Sequence, residues 1–174
     1  MHATTTKASG QLSHDYIDGK FAVDSGARLR LTCEAAIETA HELGIAFDAV
    51  GGLTMGADAL AHGISMIADC IWFSVRKEIK PRGRQQWIEG GRLESGRQVL
   101  LVDDVVTTGG SILKAYDRVV ETGAAVVGVI AMVDRGDAGQ LLFAERHVPY
   151  TALVTYHDLG IESVSGPSLV TAAG

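Results

Sequence analysis

Much of what could assign this chain to a class is missing from it. It has two cysteines among 174 residues. Cys33 and Cys70 sit in apolar stretches without metal-type spacing. That excludes a disulfide framework and a cysteine-rich zinc site, and both read as reduced core residues. Net positive charge is also missing: the formal charge is −6 at pH 7. A general nucleic-acid-binding surface is therefore not expected, and any anion site must come from a local basic cluster. No apolar run approaches the ~20 residues that a membrane-spanning helix needs. Residues 1–10 are polar, so no signal peptide is expected. No internal repeat is present. A cytoplasmic enzyme or binding domain is the expectation. With 47% hydrophobic residues the chain can bury one good core, and residues 1–174 read as a single domain.

What is present is alternation. Apolar positions spaced three and four apart predict helices near 27–43, 57–66, 110–122 and 138–145. Asp24-Ser25 caps the first of them. Short apolar runs predict strands near 46–50, 70–75, from 99, 125–133 and 150–154, and Tyr16-Ile17 reads as a short strand near the front. Alternating strands and helices predict an α/β fold, a mainly parallel sheet with helices on both faces. Ligands bind such folds at the carboxyl ends of the strands.

Four chemically suggestive segments fall at predicted strand ends. The first is Gly51-Gly-Leu-Thr-Met-Gly56, a glycine-rich turn. The second is Arg76-Lys-Glu-Ile-Lys-Pro-Arg-Gly-Arg84, with a net charge of +4, inside a predicted mobile loop over 77–91. The third is Val99-Leu-Leu-Val-Asp-Asp-Val-Val-Thr-Thr-Gly-Gly-Ser111. Its apolar strand runs into two carboxylates, then into small and hydroxyl residues before a helix. Such a turn offers backbone N–H groups and a helix dipole to an anion. The fourth is Asp134-Arg135-Gly136. A strand ending in two aspartates also suits a phospho-acceptor receiver domain. There the pair ends the first strand and about 100 residues follow. Here 70 residues follow Asp104 and three predicted strands precede it.

The third segment closely resembles the phosphoribosyl-pyrophosphate (PRPP) signature of the type I phosphoribosyltransferases. The resemblance implies that family's fold, a mainly parallel sheet flanked by helices with a small hood from residues 7–25 and the C-terminal part. It implies that Asp103 and Asp104 hold the ribose hydroxyls. Thr107, Thr108, Gly109, Gly110 and Ser111 would wrap the 5-phosphate, with Val105 and Val106 in the same run. The basic segment, with its later Glu89-Gly90-Gly91, looks like the catalytic loop of orotate phosphoribosyltransferases. Arg76, Lys77 and Lys80 match, and Arg82 stands where the family usually has histidine. In that family the loop reaches the neighbouring subunit's site, which implies a homodimer acting in trans.

Leu53, Thr54, Met55 and Gly56 would form the pyrophosphate loop, where Met55 replaces a frequent lysine. Arg135 falls where the orotate enzymes bind the base, and Thr107 would share that role. Ser9-Gly-x-x-Ser13-x-x-Tyr16-x-Asp18-x-Lys20 resembles the segment of the hood over the base, so Tyr16 and Ile17 are further candidates. Ala8 stands where many members have lysine, and Lys20 receives no role.

The implied reaction is Mg2+-dependent transfer of phosphoribosyl from PRPP to orotate, giving orotidine 5'-monophosphate and pyrophosphate. Lys80, Asp103 and Asp104 are its catalytic candidates, with Mg2+ on the two acids through water. Two other readings stay open: a phosphoribosyltransferase for another purine or pyrimidine base, and a non-catalytic regulator of the same fold that senses PRPP. No nucleic acid or membrane partner is implied.

Overall fold

The fold was analysed in a computed structural model that describes residues 5–6, 12–13, 17–78 and 86–164. Ser9, Tyr16, Lys80 and Arg82 lie outside the described residues. In chain order the elements are β1 (Thr5–Thr6), β2 (Leu12–Ser13), α1 (Gly19–Ala22), α2 (Gly26–Glu42), β3 (Ala49–Leu53), α3 (Asp58–Ala68) and β4 (Ile71–Val75). They continue with β5 (Ile88–Gly90), β6 (Gln98–Val106), α4 (Gly110–Val120), β7 (Ala125–Asp134), α5 (Ala138–Ala144) and β8 (Tyr150–Thr155).

The central sheet has the order β5-β4-β3-β6-β7-β8. All of its pairings are parallel except β4 with β5. β1 and β2 form a separate antiparallel pair. Helices cover both faces, as the alternation predicts. On one face Ile112, Ala115 and Val119 of α4 and Phe143 of α5 pack with Phe73 and Leu101. On the other, Cys33, Ala36 and Ala40 of α2 and Leu60 and Ile64 of α3 pack with Val50, Leu100 and Val102. Cys33 is fully buried, and burial pushes its thiol up to about 11, as for an inert core cysteine.

Three local readings change. The strand expected over 46–50 is β3, and it runs on through Gly51, Gly52 and Leu53. These two glycines do not turn the chain. A Cβ on Gly51 would lie 2.4 Å from the Phe73 carbonyl oxygen, and one on Gly52 would lie 2.1 Å from that of Val102. They let β3 nest between β4 and β6, and the turn begins only at Thr54.

The expected loop over 77–91 ends in a strand. β5 pairs with β4 through Phe73 and Gly90, Ser74 and Glu89, and Val75 and Ile88. Three residues are too few to show a periodicity. At the front, Ile17 is in no strand; it packs on the α2–α3 core, and α1 follows. The Asp18 side chain caps α1 by accepting the Lys20 N–H at 3.1 Å.

Candidate active site

The parallel strands deliver their carboxyl ends to one edge of the sheet. Leu53, Val75, Val106 and Asp134 are their last residues there. The two acids sit earlier than the sequence places them. β6 pairs with β7 as far as Val106 and Asp134, so Asp103 and Asp104 lie inside the strand. The Arg135 N–H extends the pairing by donating to the Val106 carbonyl at 2.8 Å. Successive strand residues point to opposite faces. Asp103 is buried and Asp104 half-buried, yet both line one cleft of about 230 Å3.

Four other parts of the chain reach this cleft. Leu53, Thr54, Met55 and Gly56 come from the turn after β3, Lys77 from the start of the basic loop, and Ser111 from the first turn of α4. Lys20 comes from α1. Gly56 fits directly against the acids: a Cβ there would lie 2.4 Å from Asp104 Oδ1 and 3.2 Å from Asp103 Oδ1. The Thr54–Met55 peptide is cis. Thr54 is oriented from below, its hydroxyl donating to Asp58 Oδ2 at 2.7 Å. In the sequence Asp58 carries no signal of this role, being an acid in the first turn of a helix.

The acids hold each other in place through the backbone. Asp103 Oδ1 accepts the Asp104 N–H at 3.1 Å, and Asp104 Oδ1 accepts the Val105 N–H at 2.8 Å. Burial, and then the neighbouring Asp104 charge, hold the Asp103 carboxyl well above the ordinary carboxylate range. The Asp104 N–H and the Lys77 charge oppose that shift.

The folded chain therefore binds this proton more tightly than the unfolded chain does. The stability it contributes is full below the ordinary value of 3.8 and is lost as pH rises through the raised folded value. Asp103→Asn should flatten this fall in melting temperature. Melting curves in metal-free buffer across that window check it, and parallel profiles for the two chains would contradict it.

The turn from β6 to α4 is built for an anion. Gly109 takes a left-handed conformation with φ 74° at the N-cap of α4, and no side chain caps the helix. A Cβ on Gly109 would also strike Leu142 Cδ1 at 2.3 Å. Thr107 and Thr108 form this turn, and α4 opens with Gly110 and Ser111. Val105 lines the cleft, whereas the Val106 side chain is buried in the core.

Ile17, which packs on the α2–α3 core, Arg76 and Arg135 do not line the cleft. The Arg76 guanidinium donates to Glu89 Oε1 at 2.8 Å and to the Glu78 carbonyl at 3.2 Å, across the base of the basic loop. Arg135 is 4% exposed and does not line the cleft. The Val164 N–H donates to the Arg135 carbonyl at 2.7 Å. Asp134 is engaged by Tyr150, whose hydroxyl donates to Oδ2 at 2.5 Å, and by the Gly136 N–H at 3.1 Å. The roots of the basic loop are fastened by residues that carried no signal in the sequence. Lys114 Nζ donates to the Lys77 carbonyl. Arg118 lies 4.0 Å and Lys114 5.3 Å from the centre of the Trp87 ring.

The chain was compared with known proteins. A family profile described as phosphoribosyl transferase domain matches residues 23–146. The orotate phosphoribosyltransferase of Corynebacterium glutamicum (strain R) is 39% identical over 163 residues, 92% of this chain and 87% of that protein. The crystal structure of Mycobacterium tuberculosis H37Rv orotate phosphoribosyltransferase with Fe(III) dicitrate superposes with a TM-score of 0.74. It is 34% identical and covers 92% of this chain and 91% of that one. The structure of the same mycobacterial enzyme in complex with PRPP gives a TM-score of 0.73 at 31% identity, with 92% and 91% covered. The chain belongs to the type I phosphoribosyltransferases, a family of enzymes, and within that family it is most like the orotate phosphoribosyltransferases.

Proposed function

We propose that this chain transfers the phosphoribosyl group of PRPP to orotate, forming orotidine 5'-monophosphate and releasing pyrophosphate. One observation carries the reading. The Thr54–Gly56 turn and the Asp103–Asp104 pair close on each other at Gly56, with Lys77 on the rim and the uncapped start of α4 alongside. A sugar bearing a phosphate at one end and a pyrophosphate at the other fits that sequence of groups. The mycobacterial relative solved with PRPP supports the assignment of the donor. The names of the relatives support orotate as acceptor.

In this reading the bond from the anomeric carbon to the pyrophosphate oxygen breaks, a bond to the ring nitrogen of orotate forms, and the ionisable proton of that nitrogen leaves to water. Positive charge grows on the ribose and negative charge on the departing pyrophosphate. Asp103 and Asp104 orient the ribose hydroxyls. Backbone N–H groups of the turn after Leu53 and the ammonium of Lys77 receive the leaving group. The N-terminus of α4 with Ser111 holds the 5-phosphate. Lys80, from the loop of the neighbouring subunit in a homodimer, closes over the pyrophosphate and excludes water. Arg135 holds its place at the end of β7 as the candidate partner of the base.

Two adjacent carboxylates form a hard-oxygen donor set that fits Mg2+. Among the described residues no cluster of three or more ligating side chains occurs. Asp103 and Asp104 would therefore hold the ion with water and substrate completing its shell. When bound, Mg2+ supplies charge neutralisation to the pyrophosphate.

The test uses the purified chain with Mg2+, PRPP and a panel of purine and pyrimidine bases. Consumption of orotate with release of pyrophosphate is the expected result. Consumption of another base overturns the acceptor, and tight PRPP binding without turnover of any base overturns catalysis.

A further inference from the structure

The cleft must hold a strongly anionic substrate beside two carboxylates, so its own cations decide whether binding is favourable. The turn from Leu53 to Gly56 carries none, because Met55 is its long side chain and is 65% exposed. Among the described residues two cations line the cleft, Lys77 and Lys20. Lys77 belongs to the start of the basic loop. Lys20 belongs to α1, and its backbone is held by its neighbours. Asp18 caps α1 through the Lys20 N–H. Gly19 is buried against the acid pair: a Cβ on it would lie 3.1 Å from Asp104 Cβ and 3.0 Å from Val105 Cγ2.

Asp104 is thus held between two glycines, Gly19 on one side and Gly56 on the other. Lys20 follows the first of them and Met55 precedes the second. Among the described residues the Lys20 ammonium makes no ion pair or hydrogen bond, and its side chain is exposed at the cleft.

We propose that Lys20 binds the pyrophosphate group of PRPP, as a cation that lines the same cleft as the turn that has no cation of its own. The inference rests on the phosphoribosyl-transfer reading above. It differs from the role given to the basic loop, because α1 is in place before any loop closes. A charge-assisted hydrogen bond from one ammonium to a phosphate oxygen corresponds to roughly tenfold to hundredfold in affinity.

The experiment is titration calorimetry of the full chain with Mg2+, using inorganic pyrophosphate, PRPP and ribose 5-phosphate as separate probes. Lys20→Met should weaken pyrophosphate and PRPP at least tenfold and leave ribose 5-phosphate within twofold. Lys20→Arg, which keeps the charge, should stay within about threefold of the original chain for all three. Because Lys20 is exposed, both variants should melt with the original chain.

Unchanged pyrophosphate binding by Lys20→Met overturns the proposal. So does an equal loss of ribose 5-phosphate, which would place the lysine at the other end of the substrate or in a structural role. If the original chain binds neither PRPP nor pyrophosphate, the phosphoribosyl-transfer reading itself fails. If it binds both and Lys20→Met matches it, only the assignment of Lys20 fails.

Discussion

Lys80→Ala should lower kcat by about a thousandfold and leave the melting temperature unchanged. Removing one group that meets charge only as it develops in the transition state costs on the order of 10²–10³ in turnover. A lysine that also helps exclude water belongs at the upper end of that range. The substitution lies in a segment of net charge +4 with one acidic residue. Losing a charge there relieves repulsion and removes no apolar side chain. Steady-state kinetics with saturating PRPP and orotate, beside a melting curve, read the two effects separately. Turnover within a few fold of the original would remove Lys80 from the mechanism.

The same variant tests whether the loop acts across a dimer. Co-expressed with an Asp103→Asn/Asp104→Asn chain, Lys80→Ala should recover roughly a quarter of the original activity. Half of the randomly assembled dimers would then be hybrids, each with one intact site. A loop acting on its own subunit would give no recovery.

Gly56→Ala should reduce kcat/KM for PRPP by about a hundredfold with little loss of stability. The added methyl would lie 2.4 Å from Asp104 Oδ1 and 2.9 Å from its Cγ. The obstruction is the end of a side chain, so the fold can yield by swinging the carboxylate away. That movement breaks the bond from the Val105 N–H at 2.8 Å and takes the acid from the place that the proposed reaction gives it on the ribose. A misplacement of about 1 Å in a site of this kind costs on the order of 10² in rate. Gly52→Ala makes the contrast, because its Cβ would strike a backbone carbonyl at 2.1 Å and the sheet itself would have to shift. Kinetics and melting of Gly56→Ala side by side check the claim. A large fall in melting temperature would mean that the glycine serves the fold and not the cleft.

The layered α/β architecture was legible because buried parallel strands are continuous apolar runs, and Val99 to Val102 and Ala125 to Val133 are such runs. The turn from β6 to α4 was legible for a similar reason: Thr107 to Ser111 are small and hydroxyl residues between an apolar run and a helical spacing. Elsewhere one residue type served two purposes. Gly51 and Gly52 read as a turn because glycine permits turns, whereas here it permits close strand contact. β5 was hidden because an edge strand of three residues is defined by its partner β4. Arg76 and Arg135 looked like ligand-binding cations from their neighbours in the chain. In the structure Arg76 also pairs with Glu89, thirteen residues on, and Arg135 is buried, two features that their neighbours in the chain do not show. Lys20 shows the converse. Nothing in its local sequence separates it from any exposed lysine, and only the packing of Gly19 on Asp104 brings it into the cleft.

The basic loop also has a neck. The Arg76 N–H donates to the Trp87 carbonyl at 2.8 Å, the Arg76 guanidinium reaches Glu89, and α4 grips both the Lys77 carbonyl and the Trp87 ring. Whatever the intervening residues do, they start and finish at one tied point. Their number is thereby uncoupled from the sheet register. Doubling such a span adds only about 0.6 kcal/mol of closure entropy. The length of this span is therefore open to change by insertion or deletion without repacking the core.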